Sequence, residues 1–187
     1  MSQTISSFLS EQLSDKKAIG ASNKKWLSYG ALRELKKSVH KALRKNGIAK
    51  QDRVAIVLPN GPTMATAFVT IAQCTTTAPL NPNYREDEFS FYLDDLKAKA
   101  LVVNDGYDGP AAAAAERLDI KIIRLIESDQ VAGLFSLVGD GDKDFIEDEE
   151  VCENDVALIL HTSGTTSRPK IVPLLQSNIA ASASNIA

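Results

Sequence analysis

The chain has 187 residues, of which 44% are hydrophobic and 24% are charged. This length predicts one domain or slightly more with a buried core, and the glycine and proline contents exclude collagen-like and wholly disordered chains. We find no stretch of about 18–20 apolar residues that would cross a membrane, and no basic leader followed by an apolar block. Cys74 and Cys152 are too few and too far apart for a disulfide framework or a metal knuckle. We therefore expect an intracellular protein with reduced thiols.

The net charge of −3 conceals a strong asymmetry along the chain. Residues 1–60 contain 12 Lys and Arg against 4 Asp and Glu, a balance of +8, whereas residues 61–187 contain 9 against 20, a balance of −11. A nucleic-acid module at residues 24–53 is one hypothesis, but the pI of about 5.4 and the lack of interleaved surface aromatics argue against it. The basic residues alternate with apolar ones at helical spacing, which favours one solvated helix face. The acidic composition of residues 139–155 predicts a mobile, water-loving connector. It does not predict a metal site, because the acids lack the spacing of a calcium loop.

Short apolar strands and amphipathic helices alternate along the chain. In chain order we predict an extended segment at 26–29, a helix ending near Gly47, a strand at 52–58, a helix after residue 60, a helix with an acidic first turn at 86–88, a strand at 100–103, a turn or short helix at 111–118, and strands at 120–126 and 156–160. Asn60 is placed to cap the second helix, with Pro62 in its first turn. This alternation predicts a layered α/β fold with a mainly parallel sheet and helices on both faces.

The segment after the last predicted strand holds the residues best suited to bind a ligand. Its small, hydroxyl-bearing and basic residues are Thr162, Ser163, Gly164, Thr165, Thr166, Ser167, Arg168, Pro169 and Lys170. In open parallel sheets, ligands bind beyond the carboxyl ends of the strands. Backbone N–H groups of a loop of small residues can form an anion-binding nest, while hydroxyls donate to phosphate oxygens and cations offset their charge. The pattern predicts a site for a nucleotide triphosphate.

Composition alone leaves other interpretations of this region open. The same residues are compatible with a Ser/Thr turn that merely joins two strands. They do not form a P-loop, because Pro169 precedes Lys170 and Ile171 follows it, where that pattern has Gly and Ser or Thr. A catalytic role for His161 is a further hypothesis, although a lone histidine at a strand end is more often structural. Cys74 has no activating neighbour in the sequence, and we identify neither a catalytic residue nor a metal ligand.

Residues 162–170 resemble the phosphate-binding signature of the adenylate-forming superfamily, which contains acyl-CoA synthetases, luciferases and peptide-synthetase adenylation domains. The usual pattern is Thr-Ser-Gly-(Ser/Thr)-Thr-Gly-x-Pro-Lys-Gly-Val, and eight of its first nine positions agree. Ser167 and Ile171 depart from it, since most members have glycine at both positions. The residues at and around the signature, with His161 directly before it, are similar to those of the oxalate–CoA ligase branch of this superfamily. Residues 79–84, further upstream, are similar to the same branch.

The resemblance implies an enzyme that uses ATP and magnesium to convert a carboxylic acid into an acyl-adenylate, from which coenzyme A forms a thioester. Residues 162–170 would contact ATP, whereas the magnesium ligand, the acyl pocket and a C-terminal lid would lie beyond residue 187. Oxalate is the expected acid, with a medium-chain or aromatic acid as the alternative, in the cytosol or peroxisome. Residues 1–187 are then expected to form a partial AMP-binding N-terminal domain, or a noncatalytic truncated isoform that acts as a binding fragment. By itself, such a chain is expected to be poorly soluble or partner-dependent and inactive.

Overall fold

The computed structural model describes residues 3–144, 150–162 and 169–186. In chain order, the helices and strands are α1 (Ile5–Ser10), β1 (Lys17–Ile19), β2 (Leu27–Ser28), α2 (Tyr29–Lys45), β3 (Arg53–Val57), α3 (Pro62–Ala72), β4 (Thr76–Pro79), α4 (Glu86–Leu96), β5 (Ala100–Asn104), α5 (Pro110–Arg117), β6 (Lys121–Glu127), β7 (Phe135–Val138), β8 (Val156–Thr162), β9 (Lys170–Leu175) and α6 (Gln176–Ile186).

The main sheet has the strand order β7-β6-β5-β3-β4-β8-β9, and β1 pairs with β2 in a separate antiparallel ribbon. The five central strands are parallel to one another, in the order β6-β5-β3-β4-β8. Strands β7 and β9 run antiparallel at the two edges. This confirms the predicted α/β class and the mainly parallel sheet. The sequence did not predict β9, which contains Pro173. A proline is compatible with an edge strand but not with the middle of a sheet.

Burial on both faces explains why the central strand β3 is an unbroken apolar run. Val54 and Ile56 pack on one side of the sheet with residues of α2 and α3. Ala55 and Val57 pack on the other side with residues of α4 and α5. Because successive strand residues point to opposite faces, a strand covered on both sides cannot alternate between apolar and polar residues.

The start of α3 differs from the prediction in one respect. Pro62 lies in the first turn as expected, but the N-cap residue is Gly61 rather than Asn60, and Gly61 makes no side-chain cap hydrogen bond. Its φ of 158° with ψ of −174° places Gly61 in an extended conformation. The chain therefore enters α3 one residue later than the position from which an asparagine side chain could cap it.

The charge asymmetry of the sequence is partly resolved by contacts between the basic N-terminal region and the acidic connector. Lys50 Nζ lies 3.1 Å from a carboxylate oxygen of Asp155, and Lys36 Nζ lies 3.9 Å from Glu150. The N–H of Gly141 also donates to Asn46 Oδ1, just after α2, over 3.0 Å. Both described ends of the connector are therefore held against the body of the protein, where the sequence predicted a mobile, water-loving segment.

The side chain of Gln176 links helix α6 to helices α1 and α3. Its side chain is fully buried at the first residue of α6. Gln176 Oε1 accepts the backbone N–H of Ile5 over 3.3 Å, and Nε2 donates to the carbonyl of Ala72 over 2.5 Å. The two bonds connect α6 to the start of α1 and to the end of α3. A buried amide is compatible with an apolar core only when its polar atoms are paired in this way.

We expect Gln176→Met to lower the free energy of unfolding by about 2 kcal/mol or more. Methionine keeps the length of the side chain but leaves the Ile5 N–H and the Ala72 carbonyl buried without this partner, at about 1–3 kcal/mol for each such group. Gln130→Met, at an exposed position, is the matched control and should change stability by less than about 0.5 kcal/mol. Urea denaturation of both variants measures the difference, and equal losses would contradict the bridging role.

Candidate functional site

The predicted phosphate-binding segment connects β8 to β9. Thr162 is the last residue of β8, Lys170 is the first residue of β9, and the two are Cα partners in the antiparallel pair. Both are exposed, and Pro169 is half-buried. The carboxyl end of β8 lies at the same edge of the sheet as that of β4, because the two strands are parallel. The structure therefore places the described residues of the signature where ligands bind in open parallel sheets.

The central part of the predicted site lies outside the described residues. It consists of Ser163, Gly164, Thr165, Thr166, Ser167 and Arg168. Their contacts with phosphate remain a prediction from the sequence. The described geometry instead fixes the two ends of the segment, at Thr162 and Lys170.

Strand β8 is attached to the rest of the sheet through threonine side chains of β4. Thr77 is aligned with Leu158 in the parallel register. The Thr76 hydroxyl donates to the carbonyl of Val156, and the Thr77 hydroxyl donates to that of Ala157, each over 2.8 Å. Strand β4 was not predicted from the sequence, although its β-branched threonines were a usable strand signal.

Asp155 fixes the chain where it enters β8. Its carboxylate accepts the Cys152 N–H over 2.6 Å and pairs with Lys50, and its backbone carbonyl accepts the N–H of Gln176. Burial alone would raise the pKa of this carboxyl. The hydrogen bond from Cys152 and the Lys50 ammonium outweigh burial, so that the pKa of Asp155 is lowered from its ordinary value. The ionised form is therefore the one that the folded protein stabilises.

His161 packs between the end of β8 and helix α4. Its Nε2 lies 3.1 Å from Asp95 Oδ2, and its ring meets that of Tyr92 edge-to-face with centroids 4.7 Å apart. Only 7% of the side chain is exposed. These contacts support the structural interpretation of His161. Tyr92 was predicted from the sequence to lie on the apolar face of this helix. Asp95 was not singled out, although its i, i+3 spacing from Tyr92 puts both residues on one side of α4.

Ile171 has a packing role that explains why a side chain is present at this departure from the family signature. It is the Cα partner of His161 across the β8–β9 pair. Its side chain packs against the core cluster that contains Ile159. A glycine at this position would leave that part of the edge strand without an apolar contact to the sheet.

The cysteines provide no site of their own in the part of the chain that the structure describes. Cys74 is buried, its Sγ donates to the Thr70 carbonyl over 3.3 Å, and Cys152 is an exposed free thiol. Among the same residues, no group of three or more His, Cys, Asp or Glu side chains could hold a metal ion. None of the described helices is long and apolar enough to span a bilayer.

The fold, together with the signature at the carboxyl edge of its sheet, is that of an adenylate-forming enzyme. Residues 9–187 match the AMP-binding enzyme family, and the chain belongs to it.

Curated relatives with CoA-ligase names match three quarters or more of the chain. An oxalate–CoA ligase of Arabidopsis thaliana is 35% identical over 192 residues, covering 99% of this chain and 37% of that protein. An oxalate–CoA ligase of Saccharomyces cerevisiae is 37% identical over 164 residues, covering 75% and 30%. A probable CoA ligase of Humulus lupulus is 36% identical, covering 94% and 34%. The chain thus spans about a third of the length of these relatives.

Solved structures share the fold. Apo MatB from Rhodopseudomonas palustris superposes with a TM-score of 0.79 at 22% identity, covering 100% of this chain and 37% of that one. A long-chain-fatty-acid–CoA ligase from Archaeoglobus fulgidus superposes with a TM-score of 0.74 at 24% identity, covering 98% and 39%. At these identities the likeness establishes the layered α/β fold alone.

We expect Asp155→Asn to remove an acid-sensitive part of the stability. A carboxyl whose folded pKa is lowered contributes stability above its unfolded pKa of about 3.9 and loses it as the pH falls through the lower folded value. The wild type should therefore exceed the variant by about 1–2 kcal/mol at pH 7, and the difference should shrink as the pH falls below about 4. Urea denaturation across this range measures it.

Asp142→Asn is the matched control, because Asp142 is exposed in the same connector. It removes the same charge without touching the entry to β8. A stability difference that stays constant with pH for Asp155→Asn, or one equal to that of Asp142→Asn, would contradict this assignment.

Proposed function

We propose that residues 162–170 bind the phosphates of ATP and that this chain is the N-terminal part of an AMP-forming acid–CoA ligase. The observation that carries the proposal is the Thr162–Lys170 pair, which holds both ends of the signature together at the carboxyl edge of a parallel sheet. Lys170 is exposed at that edge, so its ammonium is accessible to a bound polyphosphate. The family membership supports the same ligand.

The proposed reaction has two steps. The carboxylate oxygen of the acid attacks the α-phosphorus of ATP, and the bond to the bridging oxygen breaks to release pyrophosphate. The thiol sulfur of coenzyme A then attacks the acyl carbon, the bond from that carbon to the phosphate oxygen breaks, AMP leaves, and the thiol proton is released to solvent. In this scheme the N–H groups and hydroxyls of residues 162–167 donate to the β- and γ-phosphates, while Arg168 and Lys170 offset the charge that accumulates on the departing pyrophosphate. The segment supplies positioning and electrostatic stabilisation rather than an acid, a base or a nucleophile.

Magnesium, when bound, would supply charge neutralisation on the phosphates of ATP. The described residues do not fit a complete magnesium site, since no cluster of three potential ligands is found among them. We therefore assign none of the described residues to the metal, to the acyl pocket or to the coenzyme A site.

Oxalate is the acid that we propose for the whole enzyme. The support is the spelling of the sequence around the signature together with the two oxalate–CoA ligases among the relatives. A medium-chain or aromatic acid is the second candidate. The cytosol and the peroxisome are the proposed compartments. A noncatalytic isoform that acts as a binding fragment is the alternative for the 187-residue chain.

For the protein encoded by the complete reading frame that contains these residues, we expect oxalate to be the preferred acid. If a hydrogen-bond donor of the acyl site recognises the second carboxylate of oxalate, kcat/KM should be about tenfold or more higher for oxalate than for the other acids. The reason is that an acid without a second carboxylate leaves that donor unpaired. Release of AMP measured with oxalate, octanoate and coumarate tests this. Preference for octanoate or coumarate would contradict the proposed substrate while leaving the ligase class intact.

For the 187-residue chain alone, we expect no acid-dependent exchange of radiolabelled pyrophosphate into ATP. We assign no adenine, metal or acyl site to the described residues, and orientation and electrostatic stabilisation are each worth several kcal/mol of barrier. The assay uses the monomeric fraction of the purified chain. Exchange above background that disappears in Lys170→Ala, but persists in the exposed control Lys99→Ala, would show that these residues already contain a working active site.

A further inference from the structure

Among the described residues, the end of β8 has no parallel neighbour at the point where the proposed phosphate-binding segment begins. Strand β4 ends at Pro79, two residues after Thr77, which is aligned with Leu158. His161 lies three residues after Leu158 and therefore extends past the end of β4. On its other side, His161 is paired with Ile171 of the edge strand. The last residues of β8 thus depend on side-chain contacts for a connection to the body of the protein.

Helix α4 supplies that connection through two residues one turn apart. Asp95 Oδ2 lies 3.1 Å from His161 Nε2, and Tyr92 packs edge-to-face on the imidazole. The histidine side chain is only 7% exposed, whereas that of Asp95 is 39% exposed. The imidazole is therefore held in one orientation by a polar contact on one atom and by an aromatic ring beside it.

The contact continues toward the carboxyl end of β4. Tyr84 stacks on Tyr92 with ring centroids 4.9 Å apart and 15° between the ring planes. The pKa of Tyr84 is raised to about 12, mainly by burial and to a smaller extent by a side-chain hydrogen bond with Tyr92. The backbone N–H of Tyr84 donates to the carbonyl of Asn81, in the turn after β4. A continuous row of three rings thus extends from that turn, across α4, to His161.

We propose that His161, held by Asp95, is a positioning residue for Lys170 and thereby for phosphate binding. Thr162 follows His161 directly and is the Cα partner of Lys170. A fixed imidazole fixes the backbone of β8 at this point, and the β8–β9 pairing transmits that position to Lys170. This inference rests on the proposed phosphate site and assigns to it two residues outside the signature.

A purely electrostatic effect of Asp95 and a positioning effect predict opposite changes in phosphate affinity. Removing a carboxylate near an anion site reduces charge repulsion and should slightly strengthen binding, whatever the carboxylate contacts. If Asp95 positions His161, Asp95→Ala should weaken binding instead. Asp94→Ala is the matched control, because Asp94 precedes it on the same helix and pairs with Lys97 over 2.9 Å rather than with His161.

The experiment titrates inorganic pyrophosphate into the monomeric 187-residue chain and follows the amide signals of Thr162 and Lys170 by NMR. We expect Asp95→Ala to weaken the affinity by about five- to tenfold and Asp94→Ala to leave it unchanged or slightly stronger. The thermal midpoints of both variants should stay within about 3 °C of the wild type. Such a loss of affinity without a loss of stability separates positioning from a general structural role.

Two substitutions of His161 provide a rescue test. His161→Gln places an amide nitrogen close to the position of Nε2 and keeps a donor to Asp95, so it should bind pyrophosphate within about twofold of the wild type. His161→Phe keeps a ring against Tyr92 but loses the donor, and should weaken binding as Asp95→Ala does.

The outcomes distinguish the two proposals. Equal affinities for Asp95→Ala and Asp94→Ala, with Lys170→Ala still weakening binding, would refute the positioning role and leave the phosphate site in place. A wild type that binds no pyrophosphate, or that binds it equally well after Lys170→Ala, would refute the phosphate site and the positioning role together.

Discussion

Two threonine hydroxyls on β4 hold the part of the molecule on which the proposed site depends. Among the described residues, β4 and β8 are aligned at one Cα pair, Thr77 with Leu158, and the hydroxyls of Thr76 and Thr77 add two bonds to β8 carbonyls. Strands β8 and β9 and helix α6 all follow this junction in the chain. The position of β8 relative to the rest of the sheet therefore depends on a seam of two threonine side chains on β4.

Three further contacts hold the same region at other points. Asp155 fixes the entry to β8, His161 fixes its exit against α4, and Gln176 fixes the start of α6 against α1 and α3. Each is a polar side chain whose partner lies far away in the sequence. Apolar packing forms the two layers of the protein, whereas these directional bonds determine where the β8–β9 hairpin lies on them.

The sequence predicted those helices and strands whose own residues show a recognisable apolar pattern. Strand β3 was identified because burial on both faces makes it a continuous apolar run, whereas β4 was missed because its threonines are polar residues that are buried by bonding to β8. The edge strand β9 was missed because Pro173 interrupts it. The contact between His161 and Asp95 spans 66 residues, and no local pattern reports such a pairing. The signature was recognised from residue identity, and its two ends, but not residues 163–168, are described.

The threonine seam also bears on how the chain can fold while it is being made. The bond from Thr77 to Ala157 spans 80 residues. At about 5–20 residues per second, β8 leaves the ribosome roughly 4–16 s after β4. The residues of β3 to β6 are available for pairing during that interval, but one edge of β4 has no neighbour. Until β8 is made, the threonine hydroxyls on that edge can form hydrogen bonds with water. An exposed strand edge with threonine side chains is therefore less prone to bind another chain than one with apolar side chains.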